Sequence, residues 1–283
     1  MDVPALHVTN GDAAVFDISR AAGVPPETVV PWRDALHDGP VPDGLDAEAL
    51  ARVRAAHVAA RGWAGEAEAL VSFLERDGRL AAHPDEAEIV LWFEDDLYDA
   101  LQLAQIGDRL AGRAGPVLRV RMPHDRSGGL AEPLAARTPW APDGRAFAAL
   151  RCGDPRGWAE HPFMDRLLEE LPDAATGLSR LEREILEALA AGPLGDAELF
   201  TRVAAREQPP WLGDTMVWAA AAALDPLVAL DDDGAWRLTA EGEAVLAGRA
   251  RRPAHDHWVG GVHLVPGEQA WTWDSRTQTV VLA

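Results

Sequence analysis

The feature that most constrains the fold is a run of five apolar residues, Ile89–Phe93, followed at once by three acidic residues at 94–96. A short run without alternating polar residues is typical of a strand that is buried on both faces of a parallel sheet. Stretches with helical spacing separate this run from other strand-like segments at 5–9, 28–31 and 117–121. The alternation predicts a Rossmann-like α/β domain with a parallel sheet and crossover helices.

The chain divides by sequence character into four stretches. Residues 1–130 hold the alternating strands and helices, and residues 131–176 are predicted to form a linker with short helices. Residues 177–252 have three helical segments and then two short strand-like runs, which is the order of a winged-helix domain. Residues 253–283 are rich in Trp and are expected to pack back on the body. We therefore predict a Rossmann-like domain followed by a winged-helix-like C-terminal domain.

The composition excludes several kinds of chemistry. All 26 Lys and Arg positions are Arg, so no lysine is present to form a Schiff base or to serve a P-loop. Cys152 is the only cysteine, which excludes an intramolecular disulfide and a multi-cysteine zinc site. Neither a secretory signal nor an apolar run of roughly 18 residues is visible, so we expect a cytoplasmic protein without a membrane segment.

The charge of the chain argues against a nucleic-acid partner. Its formal net charge is −20, whereas neutralising phosphates requires a basic face. The third helical segment of the predicted winged-helix domain, 213–224, contains Asp214 and no Arg. Asp231, Asp232 and Asp233 in the predicted wing would repel a phosphate backbone in the same way. A protein partner or a second copy of the chain fits this domain better.

Polar side chains follow the first three predicted strands, at 10–12, 32–40 and 94–96. In open parallel sheets, ligands bind beyond the carboxyl ends of the strands, at the point where the strand order reverses. We therefore predict that these three clusters converge on one site that takes a small-molecule ligand.

Four carboxylates at these strand ends predict a divalent metal site. Adjacent carboxylates repel one another unless they are solvated, capped or bridged by a cation. Hard oxygen ligands suit Mg²⁺ or Mn²⁺, so the predicted metal ligands are Asp12, Glu94, Asp95 and Asp96. The alternative is that Asp95 or Asp96 caps the helix that begins near Leu97 while the other acids face water.

The loop after the second strand contains the predicted catalytic residues. His37 is expected to act as a general base that Asp38 orients, and Asp34 of the same loop completes the predicted catalytic set.

Five polar or flexible residues are predicted to bind the ligand. Asn10 and Gly11 precede a helix start, whose free N–H groups favour an anion; the alternative is a plain turn capped by the next residue. Arg33 is the predicted anion clamp, because a guanidinium binds phosphate or carboxylate with two hydrogen bonds; the alternative is an ion pair with the following residue. Tyr98 and Gln102 lie four positions apart on one face of the helix that begins near Leu97 and complete the set.

Six segments of the chain form a set of motifs in a fixed order, namely residues 6–12, 32–41, 91–99, 177–183, 212–214 and 258–264. In that order they resemble a bacterial family catalogued as domain of unknown function 1835. The family is identified without an activity, so the resemblance implies a shared fold rather than a reaction. The chain departs from the family's usual Glu-His-Asp motif, because Asp95 stands in the middle position and no histidine ligand is present there.

Two functions from different classes fit these features, and the sequence leaves open whether the protein is an enzyme. The first is a metal-dependent phosphoester hydrolase or phosphotransferase that acts on a small polar or phosphorylated substrate at the strand ends. The alternative is a non-enzymatic, ligand-sensing regulatory module that signals through the winged-helix-like domain to a protein partner.

Overall fold

A five-stranded sheet forms the centre of the first part of the chain in a computed structural model that describes residues 3–283. The strand order across the sheet is second, first, third, fourth, fifth; the first four strands are parallel and the fifth is antiparallel to the fourth. The prediction of an α/β fold with a parallel sheet is therefore confirmed. The strands are β1 (Leu6–Thr9), β2 (Val29–Pro31), β3 (Ile89–Phe93), β4 (Val117–Arg121) and β5 (Thr138–Pro139).

Helices cover both faces of this sheet. One core joins one face of the sheet to the helices that contain Leu80 and Ile106. The other core joins the opposite face to the helix that contains Ile18. Neighbouring β2 residues divide between the two cores, Val30 to one and Val29 to the other, as the alternation of a strand requires. The helices are α1 (Val15–Ala22), α2 (Ala47–Ala60), α3 (Glu66–Ala82), α4 (Leu97–Arg109), α5 (Ala131–Ala135) and α6 (Arg145–Arg151).

The apolar run that dominates the sequence is buried along its whole length. Leu91 of β3 belongs to the core beneath α3 and α4, whereas Val90 and Trp92 belong to the core beneath α1. A strand with an apolar core on each face has no position for a polar side chain, which explains the uninterrupted pattern. His7 on neighbouring β1 is buried and accepts a 2.9 Å hydrogen bond from the indole Nε1 of Trp92, and burial lowers its pKa.

The position of β1 between β2 and β3 sets the place of a crevice. The chain leaves β1 in one direction to form β2 and then crosses to the other side of β1 to form β3. This reversal opens a crevice at the carboxyl ends of β1 and β3. Asp96 begins α4 here as its N-cap, and its side chain accepts from the Asp99 amide at 2.8 Å.

The predicted linker at 131–176 does not exist as one segment. The chain divides into two compact units after Gly153, so residues 131–153 belong to the first. β5 pairs with β4 through Leu118 and Pro139, and the backbone of Asp143 contacts α4 so closely that a Cβ on Gly107 would lie 2.7 Å from its carbonyl oxygen. A strand of two residues that ends in Pro carries no periodic pattern, which is why the sequence did not predict it.

The second unit, Asp154–Ala283, has three successive helices and then a hairpin, in the predicted order. Ser179 and Glu182 form a capping box at the start of the first of these helices, since each side chain accepts from the backbone N–H of the other. The Trp-rich end packs on its own unit, where Trp273 N–H donates to the carbonyl of Pro172 at 2.9 Å. The elements are α7 (Asp165–Leu168), α8 (Arg180–Leu189), α9 (Asp196–Ala204), α10 (Asp214–Ala222), β6 (Val228–Leu230), β7 (Trp236–Leu238), α11 (Ala240–Leu246), β8 (His257–Val259), β9 (Val262–Leu264), β10 (Trp271–Asp274) and β11 (Thr279–Leu282).

Across residues 3–283, the helices are all too short or too polar to pass through a lipid bilayer.

Candidate functional site

The crevice between β1 and β3 is closed by a hydrogen-bond network centred on Asp99, which is completely buried. Its two carboxylate oxygens accept from the Asn10 side-chain amide at 2.8 Å and from the Glu94 backbone N–H at 2.5 Å. Burial, together with the charge of nearby Asp96, raises the pKa of Asp99 to about 8. Asn10, predicted to bind a ligand, therefore joins the end of β1 to the first turn of α4 through Asp99. Glu94 joins the end of β3 to the same carboxylate.

Asp96, a predicted metal ligand, serves as a helix cap, which was the alternative that the sequence left open. Burial raises its pKa to about 6, against opposing hydrogen bonds from the backbone of Asp99 and Tyr98. Asp99 was not among the predicted site residues, although an acid three residues after an Asp N-cap is a recognisable pattern at a helix start. The two neighbouring carboxyls share a burial penalty that favours at least one proton between them at neutral pH.

Asp34, a predicted catalytic residue, is enclosed by two arginines. Arg54 Nε donates to its Oδ1 at 2.9 Å and Arg76 Nη2 lies 3.3 Å from its Oδ2. Asp34 and Arg54 have no exposed surface, and the Arg76 guanidinium stacks on the Trp32 ring at 4.4 Å. A carboxylate held in this way anchors the loop after β2 and has no access to a substrate. Gln102, a predicted ligand residue, is also inside this region and donates to the Asp34 carbonyl at 2.8 Å.

The side chain of Asp38 contacts a histidine other than its sequence neighbour. His57 Nε2 lies 3.5 Å from Asp38 Oδ1, and Arg61 Nη2 lies 2.6 Å from it. Burial raises the pKa of Asp38, but its contacts with His57 and Arg61 outweigh burial and hold the pKa well below its usual range. The ring of His37 instead faces Tyr98, with the ring centres 6.0 Å apart, and burial raises the pKa of Tyr98. Asp38 is thus an anchor for α2.

The four predicted metal ligands are engaged separately. Within residues 3–283, no group of three or more His, Cys, Asp or Glu side chains is arranged to hold a metal ion. The carboxylate of Asp95 pairs with two arginines of β4, that of Glu94 lies 3.0 Å from His124 Nδ1, and that of Asp12 pairs with Arg33. Asp12, Glu94 and Asp95 thus each have a partner within the chain, and Asp96 caps α4. The Mg²⁺ or Mn²⁺ ion stays a prediction.

A cavity of about 250 Å³ lies beside β2, the edge strand of the sheet. β2 forms its floor, and α1 and α3 form its walls from opposite faces of the sheet. Three guanidinium groups and one hydroxyl line it, and three carboxylates stand among them. The polar lining residues are Asp12, Glu27, Arg33, Ser72, Glu75, Arg76 and Arg79.

Arg33 reaches this cavity from a backbone conformation that is uncommon for residues other than glycine. Its φ is 51°, in the left-handed region, which costs on the order of 1–3 kcal/mol unless the surroundings impose it. Its guanidinium donates from Nε and Nη2 to the two oxygens of Asp12, at 2.8 and 2.6 Å, and from Nη1 to Ser72 Oγ at 2.8 Å. Hydrogen bonding to Arg33 lowers the pKa of Asp12 and raises that of Arg33.

The predicted residues therefore fall into two separate places. Arg33 and Asp12 meet at the cavity, whereas Asn10 and Gln102 hydrogen-bond inside the crevice. Gly11 has extended backbone at the start of a 3-10 turn, and a Cβ there would meet nothing within 4 Å. The sequence analysis missed the contribution of α3, although its spacing contains the signal. Ser72, Arg76 and Arg79 are four and three positions apart and share one helical face.

Comparisons of the chain with protein-family models, with curated proteins and with solved structures found no match in any of the three. The resemblance to domain of unknown function 1835 therefore stays a prediction.

Proposed function

We propose that the first unit binds a small polar ligand with one anionic group, a phosphate or a carboxylate, in the cavity beside β2. The observation that carries the proposal is the guanidinium of Arg33 at the cavity, held from a strained backbone by hydrogen bonds to Asp12 and Ser72. A guanidinium presents a fork of donors that matches two oxygens of a phosphate or carboxylate. In this proposal the Asp12 carboxylate occupies the anion position when no ligand is bound, and the anionic group of the ligand replaces it there on binding.

The Asp12–Arg33 ion pair is of a kind that a ligand can replace. Its side chains are 68% and 43% exposed, and pairs of this exposure contribute about 0–1 kcal/mol. A phosphate can make the same two charge-assisted hydrogen bonds to Arg33 that the Asp12 carboxylate makes. Because the exposed pair contributes little to stability, exchange of Asp12 for the ligand would leave the core undisturbed.

The remaining charges limit what the ligand carries. Arg76 is committed to Asp34, and Arg79 donates to the carbonyl of Thr28, the residue before β2, at 2.8 Å. Glu27 and Glu75 line the same cavity and are exposed. They would repel a second anionic group but accept hydrogen bonds from hydroxyl or ammonium groups. A sugar monophosphate or an amino acid fits this balance better than a nucleoside triphosphate.

Binding of inorganic phosphate, a sugar monophosphate and glutamate, measured by calorimetry on the full chain, tests the proposal. Arg33→Gln should weaken the best ligand at least roughly tenfold, which corresponds to about 1.4 kcal/mol. Arg52→Gln is the matched control, because Arg52 is an exposed arginine of α2 paired with Glu48. Equal affinity of the Arg33→Gln variant and the wild type would refute the site.

A sensing role follows more directly from this site than catalysis does. The predicted catalytic residues Asp34 and Asp38 are occupied by arginines, so the metal-dependent hydrolase or phosphotransferase stays a prediction without support from the site. Ligand-dependent turnover that a chelator abolishes would favour it over sensing.

We further propose that the second unit is a winged-helix-like domain that passes the ligand signal to a protein partner. Its support is the chain order of α8, α9 and α10 before the β6–β7 hairpin. Asp214 begins α10, and the hairpin turn contains the exposed Asp232 and Asp233, which oppose binding to DNA. A titration with duplex DNA at low salt should show no binding. The cytoplasmic location and self-association expected from the sequence stay predictions.

A further inference from the structure

The outer face of α3 carries an apolar stripe that the fold does not use. Val71 and Leu74 are 53% and 36% exposed, and Ala67 and Gly78, one turn before and one turn after them, are also exposed. The spacing of four, three and four positions places all four on one face of the helix. The opposite face of α3 already packs into the unit through Phe73 and Leu80. Helix α3 is therefore apolar on two faces, and only one is buried.

Val71 and Leu74 are neighbours on the surface of α3, three positions apart. The other large exposed apolar residues in the described part of the first unit are Val3, which precedes β1, and Phe16, which lies on α1 at the opposite face of the sheet. Neighbouring exposed apolar residues on one helical face mark an interaction surface, whereas single exposed residues need no explanation.

Carboxylates border the stripe without direct ion pairs to the chain. Glu66, Glu68 and Glu75 are exposed on α3, and none forms an ion pair with another residue of the range 3–283. Arg33 attracts Glu68 and Glu75 through space, and Arg79 attracts Glu75 in the same way. By contrast, Glu48 and Glu198, on other helices, pair with Arg four positions later. The apolar stripe is thus bordered by an acidic rim, formed by Glu66, Glu68 and Glu75, whose carboxylates have no ion-pair partner in the range 3–283.

We infer that this face of α3, defined by Val71 and Leu74 and bordered by Glu68 and Glu75, binds a cationic amphipathic helix of a partner protein. The apolar face of such a helix would pack on the stripe through side chains at three- and four-residue spacing. Its lysines or arginines would pair with the carboxylates of the acidic rim. A second copy of the chain is disfavoured as the occupant, because its identical acidic rim and its net charge of −20 would repel those of the first copy. The inference does not rest on the proposed anion site.

Two synthetic helical peptides with the same leucine stripe test this inference. One carries lysine at its polar positions and the other glutamate, and binding to the full chain is measured by fluorescence anisotropy at two salt concentrations. We expect the lysine peptide alone to bind and to protect the amides of α3 from hydrogen exchange. Val71→Ser with Leu74→Ser should weaken it roughly tenfold, as loss of central apolar contacts does. Leu230→Ser with Leu282→Ser, which alters exposed leucines of the second unit, should leave binding unchanged.

The charge half of the inference needs its own pair of variants. Glu68→Gln with Glu75→Gln should weaken the lysine peptide and flatten its salt dependence, whereas Glu132→Gln with Glu160→Gln removes the same charge elsewhere and should not. Equal loss in both pairs, or binding that survives the α3 serine variant, would mean diffuse attraction to an acidic protein and overturn the inference. A dimer in sedimentation that the serine variant dissociates would assign the face to a second copy and overturn it as well. The serine variants at Val71 and Leu74 alter no residue that lines the cavity of the proposed anion site, so this test and that of the anion site fail independently.

Discussion

Asn10 and Asp99 lie 89 positions apart, yet the Asn10 side-chain amide donates to Asp99 Oδ1 at 2.8 Å. The bond joins the residue that follows β1 to the first turn of α4. The backbone N–H of Glu94, at the end of β3, donates to the other oxygen of the same carboxylate. The crevice that a parallel sheet ordinarily offers to a ligand is here occupied by the protein's own carboxyl. This relationship moves the candidate site from the crevice to the edge of the sheet.

The stability of the first unit should depend on pH through Asp99. Its pKa is raised in the folded chain, from an ordinary value of 3.8 to about 8, so the folded state holds the proton more tightly than the unfolded state does. This contribution is fully present below the ordinary pKa and is lost as pH rises through about 8. Asp99→Asn should therefore flatten the decline of the urea midpoint between pH 5 and pH 8.

The comparison of variants separates Asp99 from the general charge of the chain. Asp85→Asn removes an exposed carboxylate of the same unit and should keep the wild-type slope. A wild-type slope in the Asp99→Asn variant would contradict the assignment of the proton to this buried pair.

Asp34→Asn should destabilise the first unit by roughly 3–5 kcal/mol, because Arg54 would keep a buried charge without a carboxylate partner and Arg76 would keep only Asp77. Glu48→Gln removes one member of an exposed pair on α2 and should cost less than about 1 kcal/mol. Denaturant unfolding followed by tryptophan fluorescence measures both, since Trp32 stacks on Arg76. Similar losses in the two variants would show that the buried ion cluster is not an anchor.

Gly39→Ala should be more harmful than Gly44→Ala, although both glycines have positive φ angles, 83° and 76°. A Cβ on Gly39 would lie 2.3 Å from the His57 ring, whereas one on Gly44 would meet nothing within 4 Å. The strain of the backbone is common to the two variants, and only the first adds a steric clash beside Asp38. The difference between their melting temperatures isolates that clash, and equal melting temperatures would contradict the close packing.

The sequence predicted the sheet well because its strongest signal is physical and local. Ile89–Phe93 and Val117–Arg121 agree with the predicted strands residue for residue, since burial on both faces leaves a recognisable apolar run. The site was harder to predict because it depends on pairing. The acids at 94–96 suggested a metal, but which arginines neutralise them depends on β4, whose side chains meet Asp95 only after the strands align.

The residues of α3 show the other limit. The apolar spacing of the sequence predicts a helix over 65–77, but the helix continues through an exposed glycine, Gly78, to Ala82. Glycine ordinarily weakens a helix interior by about 1 kcal/mol relative to alanine, so a helix was not expected to pass through it. The prediction of Arg33 as an anion clamp needed only its residue type, whereas the contribution of Ser72 needed the fold.

Asp12→Asn gives the sharpest test of the proposed anion site, because the competing interpretations predict opposite signs. If Asp12 holds Arg33 in place of a ligand, its removal should tighten phosphate binding up to about fivefold, the equivalent of a surface pair worth up to 1 kcal/mol. If Asp12 were a metal ligand, as the sequence suggested, the same change would weaken binding. Asp17→Asn is the matched control, since Asp17 lies on α1 and pairs with Arg20 and Arg126 instead of Arg33. Equal tightening in both variants would show a general effect of charge, and weaker binding in Asp12→Asn alone would return the metal to consideration.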